Sequence, residues 1–157
     1  RESGRMPELK STHLGDLRIE VTDTYMLGSG PLGRRRIDRL DRGSFKGARI
    51  SAEILPGGMD LLLGGGDDAL RPDVRLPLRL DDGEILLIDY RGVRHGPPEV
   101  MQRIAKGEQV PPEAYYLRTA LRFETASVKY GWLNRVVAVG VGKRFPTHVI
   151  YEVHEIL

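Results

Sequence analysis

The chain has 157 residues, 40% of them apolar and 29% charged, with 24 basic against 22 acidic side chains and a net charge of +2. That size suits one domain with one core, and the composition excludes a disordered chain. The slight positive excess is not the strongly basic balance that nucleic-acid binding favours, and the absence of cysteine excludes disulfides, thiol catalysis and thiolate metal sites.

Residues 1–12 are polar and lack the apolar stretch of a signal peptide, so a flexible tail is expected ahead of a single domain over 13–157. No apolar run approaches the roughly 18 residues that span a bilayer. The expectation is a cytoplasmic protein with no membrane partner. Leu17, Ile19 and Val21 alternate with Arg18 and Glu20, which predicts a strand over 17–26. Gly28-Ser-Gly-Pro-Leu-Gly33 matches the G-x-G-x-x-G of dinucleotide sites, but no amphipathic helix follows it and Pro31 interrupts the turn. A loop between strands is the better reading, and no cofactor is expected.

The next strand, 33–40, carries Arg34, Arg35, Arg36 and Arg39, with Arg42 just beyond, interrupted by Asp38 and Asp41. A phosphate patch competes here with a solvated strand. The charges partly cancel, split between two faces and lack interleaved aromatics, so the solvated strand is favoured. Strands are predicted over 44–55 and 58–63, parted by Pro56-Gly57. Another follows over 69–80, where Val74, Leu76, Leu78 and Leu80 alternate with Asp73, Arg75, Pro77 and Arg79. Pro77 implies an edge, a bulge or a gap in the ladder, and an edge there could pair two chains into a homodimer. Asp82-Gly83 predicts a hairpin into a strand over 84–91. Pro97 to Gly107 then reads as a two-turn helix, with Pro at its start, Glu99 in its first turn and Lys106-Gly107 at its end. Strands over 113–126, 134–143 and 146–156 complete the chain, with a second short turn over Val128–Leu133. The fold class is therefore all-β: a closed antiparallel β-barrel of about nine or ten strands with one or two short helices, closure removing exposed edges.

Tyr115 to Thr125 carries the clearest candidate chemistry. Its odd positions are mostly apolar, whereas its even positions hold Tyr116, Arg118, Ala120, Arg122 and Glu124. Successive strand side chains point to opposite faces. The polar face is an acid–base surface if it looks into a cavity and an ordinary solvated strand if it looks into water. Asp60, Asp73 and Arg75 are the other polar candidates; they must be exposed, paired or arranged around a ligand. Trp132 and Asn134, the only tryptophan and the only asparagine, read either as a core anchor with a tied turn or as a pocket wall with a polar handle. His148 and His154 are roughly 20 Å apart along one strand, too far for shared ligation, and no metal site is expected.

Several short motifs fall in a specific order: Gly33-x-Arg35, Gly43-Ser-Phe-Lys-Gly47, Ile54-Leu-Pro-Gly-Gly-Met-Asp60, Asp73-Val-Arg75, Asp81-Asp-Gly83, Gly92-Val-Arg94, Tyr116-Leu-Arg118, Phe123-Glu-Thr125, Trp132-Leu-Asn134 and Tyr151-Glu-Val153. Together they resemble the domain-of-unknown-function 3237 (DUF3237) family over nearly the whole chain. Arg42 and Ala48 depart from that pattern in a turn, where the family usually has glycine and proline. The resemblance implies a β-barrel similar in shape to allene oxide cyclase and lipocalin-like barrels, with a central cavity, and suggests cofactor-free ring closure or isomerisation in natural-product biosynthesis.

The expected function is cofactor-independent acid–base chemistry on a small hydrophobic or aromatic metabolite. Glu124 or Asp60 would move protons, Tyr116 would donate a hydrogen bond and Arg118 and Arg75 would hold an anion. Asp73, Trp132 and Asn134 would complete the binding surface. The alternative is a barrel that binds a small molecule without catalysis. A third reading is a barrel filled by its own side chains, with no cavity above roughly 300 Å³.

Overall fold

The computed structural model describes residue 4 and residues 6–157. The expected tail therefore lies partly outside the described residues, and the first strand already begins at Ser11. Twelve strand segments form one antiparallel sheet: β1 (Ser11–Glu20), β2 (Asp23–Gly30), β3 (Gly33–Leu40), β4 (Arg42–Lys46), β5 (Ser51–Ile54), β6 (Gly58–Gly64), β7 (Leu70–Arg71), β8 (Asp73–Leu80), β9 (Ile85–His95), β10 (Tyr116–Thr125), β11 (Val137–Arg144) and β12 (His148–Ile156). Nine expected runs become twelve because breaks fall inside 17–26, 44–55 and 69–80.

The sheet closes on itself. β1 pairs with β12 and β4, β4 with β5, β5 with β8 and β8 with β9; β9 pairs with β10, β10 with β11, and β11 returns to β12. β2, β3, β6 and β7 continue the wall past short breaks, and they pair as β2–β3, β3–β6, β6–β7 and β6–β8. The expected closed antiparallel barrel is what forms. Pro77 lies inside the wall, facing Leu87 of β9, at the level where residues 55–57 separate β5 from β6. It occupies a gap in the ladder, so it provides no edge for pairing two chains.

The Asp82-Gly83 hairpin is present, with Gly83 at φ +89° and its N–H donating to the Leu80 carbonyl. The expected helix is α1 (Pro98–Ala105), whose Val100, Met101 and Ile104 pack on the barrel. The second turn is a 3-10 turn at Gly131–Arg135, which delays the expected strand at 134 until Val137. Among the described residues no helix is long and apolar enough to cross a membrane.

The period-two pattern sets what the barrel contains. Leu17, Leu76, Leu78, Leu86, Ile88, Leu121 and Val153 point inward and are fully buried, and Phe45 stacks on Phe123 with 6.2 Å between ring centres. This end of the barrel is solid apolar core. At the other end, β3, β6, β9, β11 and β12 send polar side chains inward. Room for them comes from small residues: a Cβ at Gly142 would stand 2.5 Å from the Leu117 side chain and 2.8 Å from the Tyr151 ring.

Candidate functional site

The polar end of the barrel encloses a small lumen of about 40 Å³ whose walls include Arg36, Asp38, Asp60, Tyr90, Arg94, Arg144 and Tyr151. Its chemistry follows from register. Asp38 of β3 and Asp60 of β6 are direct partners across the two strands, so both carboxyl groups share the inner face. Asp38 is 3% exposed; it accepts from the Thr24 hydroxyl at 2.8 Å and from Arg36 Nη2 at 3.1 Å. Asp60 is half-buried and accepts the Asp73 backbone N–H at 3.0 Å. Burial pushes the Asp60 carboxyl up to about 7, and the neighbouring Asp38 charge adds to the rise; the Asp73 N–H, Arg36 and Arg94 pull the other way.

Three guanidiniums face these two carboxyls. Arg144 Nη1 donates to the carbonyls of Phe145 and His148, at 2.5 and 2.7 Å. Arg94 makes no ion pair among the described residues; burial lowers it to about 10, assisted by repulsion from Arg144, so it stays charged at neutral pH. The Nε atoms of Arg36 and Arg94 are buried and find no acceptor among the described residues. Tyr90 and Tyr151 meet edge to face, with 5.2 Å between ring centres. Burial raises both phenols, so both remain protonated at neutral pH. The result is an acid–base cluster with fixed positive charge beside it, and no group of three or more His, Cys, Asp or Glu side chains among the described residues could hold a metal.

Beside the lumen, between the β2–β3 turn and the β6–β7 loop, lies a larger space of about 560 Å³, the mouth; Arg36 and Leu62 line both spaces. The lumen alone is far below the roughly 300 Å³ of a ligand cavity, whereas the mouth exceeds it.

The structure brings one expected catalytic residue, Asp60, into this site. Asp73 contributes its backbone N–H there, but its carboxylate lies outside, 3.4 Å from Arg91. Arg75 also faces outward, 3.7 Å from Asp89. On β10 the apolar odd face fills the barrel, because Leu117, Thr119, Leu121 and Phe123 are buried. The polar even face therefore lies outside. Tyr116 is 43% exposed against His95 and Arg118, and Glu124 is exposed. Arg118 donates to its neighbour's carbonyl, that of Leu117. Trp132 packs partly buried under Arg49, 4.6 Å from its ring centre, away from the lumen. Asn134 is tied to Thr125 by two hydrogen bonds, its Oδ1 accepting at 2.7 Å and its Nδ2 donating at 2.9 Å. Trp132 and Asn134 thus follow the reading of a packed anchor and a tied turn.

Arg36, Asp38, Tyr90, Arg94, Arg144 and Tyr151 were not singled out from sequence as site residues. A signal was present for some of them. Arg36 and Asp38 share one face of β3 with the buried Leu40, and Arg94 and Tyr151 stand within the motifs Gly92-Val-Arg94 and Tyr151-Glu-Val153.

The profile of the family described as "Protein of unknown function (DUF3237)" matches residues 9–156. A UPF0311 protein of Rhodopseudomonas palustris is 30% identical over 151 residues, spanning 96% of this chain and 99% of that protein. A crystal structure of a conserved protein of unknown function from the same species superposes with a TM-score of 0.89 at 29% identity, covering 98% of this chain and all of the other. A β-barrel-like protein of Acinetobacter baumannii gives 0.85 at 31% identity, covering 99% of this chain and all of the other. More distantly, a protein described as an enzyme from Penicillium herquei shares the fold, with a TM-score of 0.70 at 19% identity over 97% of this chain and 99% of that one.

Proposed function

The chain belongs to the DUF3237 family, and on that premise we propose that it is a cofactor-independent acid–base enzyme for a small hydrophobic or aromatic metabolite, working by isomerisation, cyclisation or addition–elimination. The observation that carries this reading is the in-register pair Asp38–Asp60 on the inner wall, flanked by Arg36 and Arg94 and adjoining the mouth, with which the lumen shares Arg36 and Leu62. Ionised Asp60 removes a proton from an acidic C–H or O–H. The electron pair stays on the substrate as an enolate or phenolate. The guanidiniums stabilise that charge in a site largely shielded from water. Protonated Asp60 then returns the proton to another atom of the substrate, which completes an isomerisation, or to the carbanion left after an internal oxyanion has closed a ring. A carboxyl near pH 7 is suited to both directions. The Tyr90–Tyr151 pair supplies a phenolic donor at the same wall. An enzyme with this fold in Penicillium herquei agrees with a catalytic role, and ring chemistry in natural-product biosynthesis is the setting proposed.

The test is proton exchange. Enolisable bicyclic ketones such as 2-tetralone, incubated in deuterated water, should exchange their α-hydrogens faster with the protein than without it. The pH profile should bend near 7, and Asp60→Asn should abolish the acceleration. Exchange that is equally fast with Asp60→Asn removes Asp60 from the mechanism. The narrow lumen favours one other reading, binding without catalysis. Native mass spectrometry separates the two: a co-purified molecule that stays chemically unchanged on long incubation supports a binding protein.

A further inference from the structure

The lumen and the mouth differ in size and in how far their charges are buried, and together they restrict what enters. The lumen's 40 Å³ is far below the roughly 300 Å³ at which small-molecule sites begin, so it admits only a small functional group. The mouth's 560 Å³ falls within the roughly 300–1,000 Å³ of small-molecule sites. Its walls combine glycine backbone, from Gly28 and Gly30 on one side and Gly64, Gly65 and Gly66 on the other, with the apolar Met26 and Leu70; Arg34 and Asp68 add exposed charges of opposite sign, and Arg35 adds a third that donates to the Leu61 carbonyl. This is the Gly28–Gly33 segment whose dinucleotide reading lacked a helix; it forms the β2–β3 hairpin turn, where Gly28 and Gly30 bring no side chain into the mouth.

Buried charge selects the end that goes in. Three guanidiniums against two carboxyls leave the lumen with a positive excess even when both acids are ionised. Arg36 and Arg144 are occupied, by Asp38 and by two backbone carbonyls, whereas Arg94 pairs with no acid among the described residues. The Nε donors of Arg36 and Arg94 are both buried and unmatched among the described residues. Buried donors are costly to leave without an acceptor, and an oxyanion in the lumen would offer them one while cancelling the excess charge.

We propose that lumen and mouth form one bipartite site for a flat aromatic acid: a monoanion whose single planar oxyanion group enters the lumen against Arg36 and Arg94 while its ring system lies between the glycine walls. This deepens the acid–base reading of the same site by naming the substrate class, and it rests on that reading only for what happens after binding.

Calorimetric titration of the full chain near pH 7.5 with 2-naphthoate and with its neutral isostere 2-naphthamide tests it. The acid should bind at least tenfold more tightly than the amide. Arg94→Gln should weaken the acid at least tenfold and leave the amide unchanged, with Arg36→Gln as a second variant if the first fails to fold. Gly66→Trp should weaken both probes, because a Cβ there meets nothing within 4 Å and the ring can occupy the mouth; Ser29→Trp is its counterpart on the opposite wall. Equal affinities, acid binding indifferent to both arginine variants, binding unaffected by both tryptophan variants, or no acid binding at millimolar concentration would each overturn the inference. Binding is read without turnover, so loss of the exchange activity assigned to Asp60 leaves this result standing, and the reverse also holds.

Discussion

Asp60→Asn should make the protein more stable, and increasingly so as the pH rises. In the folded barrel the Asp60 carboxyl titrates at about 7, against an ordinary value of 3.8. Between those pH values the unfolded chain has released the proton while the folded chain still holds it. The unfolded state therefore binds fewer protons, and the contribution of Asp60 to stability falls as pH rises from about 4 to about 7, then levels off. A gap of about 3 units corresponds to roughly 4 kcal/mol, and partial solvent contact at the half-buried side chain brings the expectation to roughly 2–4 kcal/mol. Asparagine keeps an oxygen to accept the Asp73 N–H and never ionises. The variant minus wild-type difference should thus grow by roughly 2–4 kcal/mol between pH 4 and pH 8, or roughly 4–16 °C in Tm for a domain of this size. Carboxylates held low elsewhere, such as Asp81 under its Tyr130 and Lys129 hydrogen bonds, are common to both proteins and cancel in the difference. Thermal unfolding of both proteins across that range is the assay. A difference that stays constant with pH would refute the placement of Asp60 in a desolvated site.

Glu124→Gln and Arg118→Met, on the outer face of β10, should each change stability by less than about 0.5 kcal/mol and leave proton exchange intact; urea unfolding and the deuterium assay check both. Asn134→Ala removes both hydrogen bonds to Thr125 and should cost about 1–2 kcal/mol in urea unfolding, with exchange activity retained. Gly142→Ala drives a methyl into Leu117 and the Tyr151 ring. It should cost about 1–3 kcal/mol in the same measurement and also reduce exchange, because the ring it displaces forms part of the lumen wall.

Alternation made the barrel legible in the sequence. Val74, Leu76, Leu78 and Leu80 announced an inner face, and Pro77 marked a gap in the ladder. The site was harder to read for a physical reason. On β10 alternation separated a greasy face from a polar one, and the barrel turned the greasy face inward, so Glu124, Arg118 and Tyr116 stayed outside. The lumen draws its polar groups from five other strands, each contributing one or two, and no single stretch of chain looks unusual. Asp60 was recoverable as a lone acid in a glycine-rich motif. Its partner Asp38 was hidden among arginines whose charges looked like ordinary solvation, and only the pairing of β3 with β6 shows that the two acids meet. Arg144 had no local signal at all: it ends β11 and turns inward at the polar end.

That cross-strand meeting ties correct assembly to chemistry. Strand side chains alternate, so sliding β3 by one residue along β6 would carry Asp38 to the outer surface and deliver Ile37 to the interior in its place. Such a misaligned molecule would still look like a cylinder of strands by overall shape or circular dichroism, yet it would have lost half of its acid pair. The proton exchange proposed for this site would therefore be a stricter report of correct folding than secondary-structure content, and material that fails that assay should first be examined for strand misalignment.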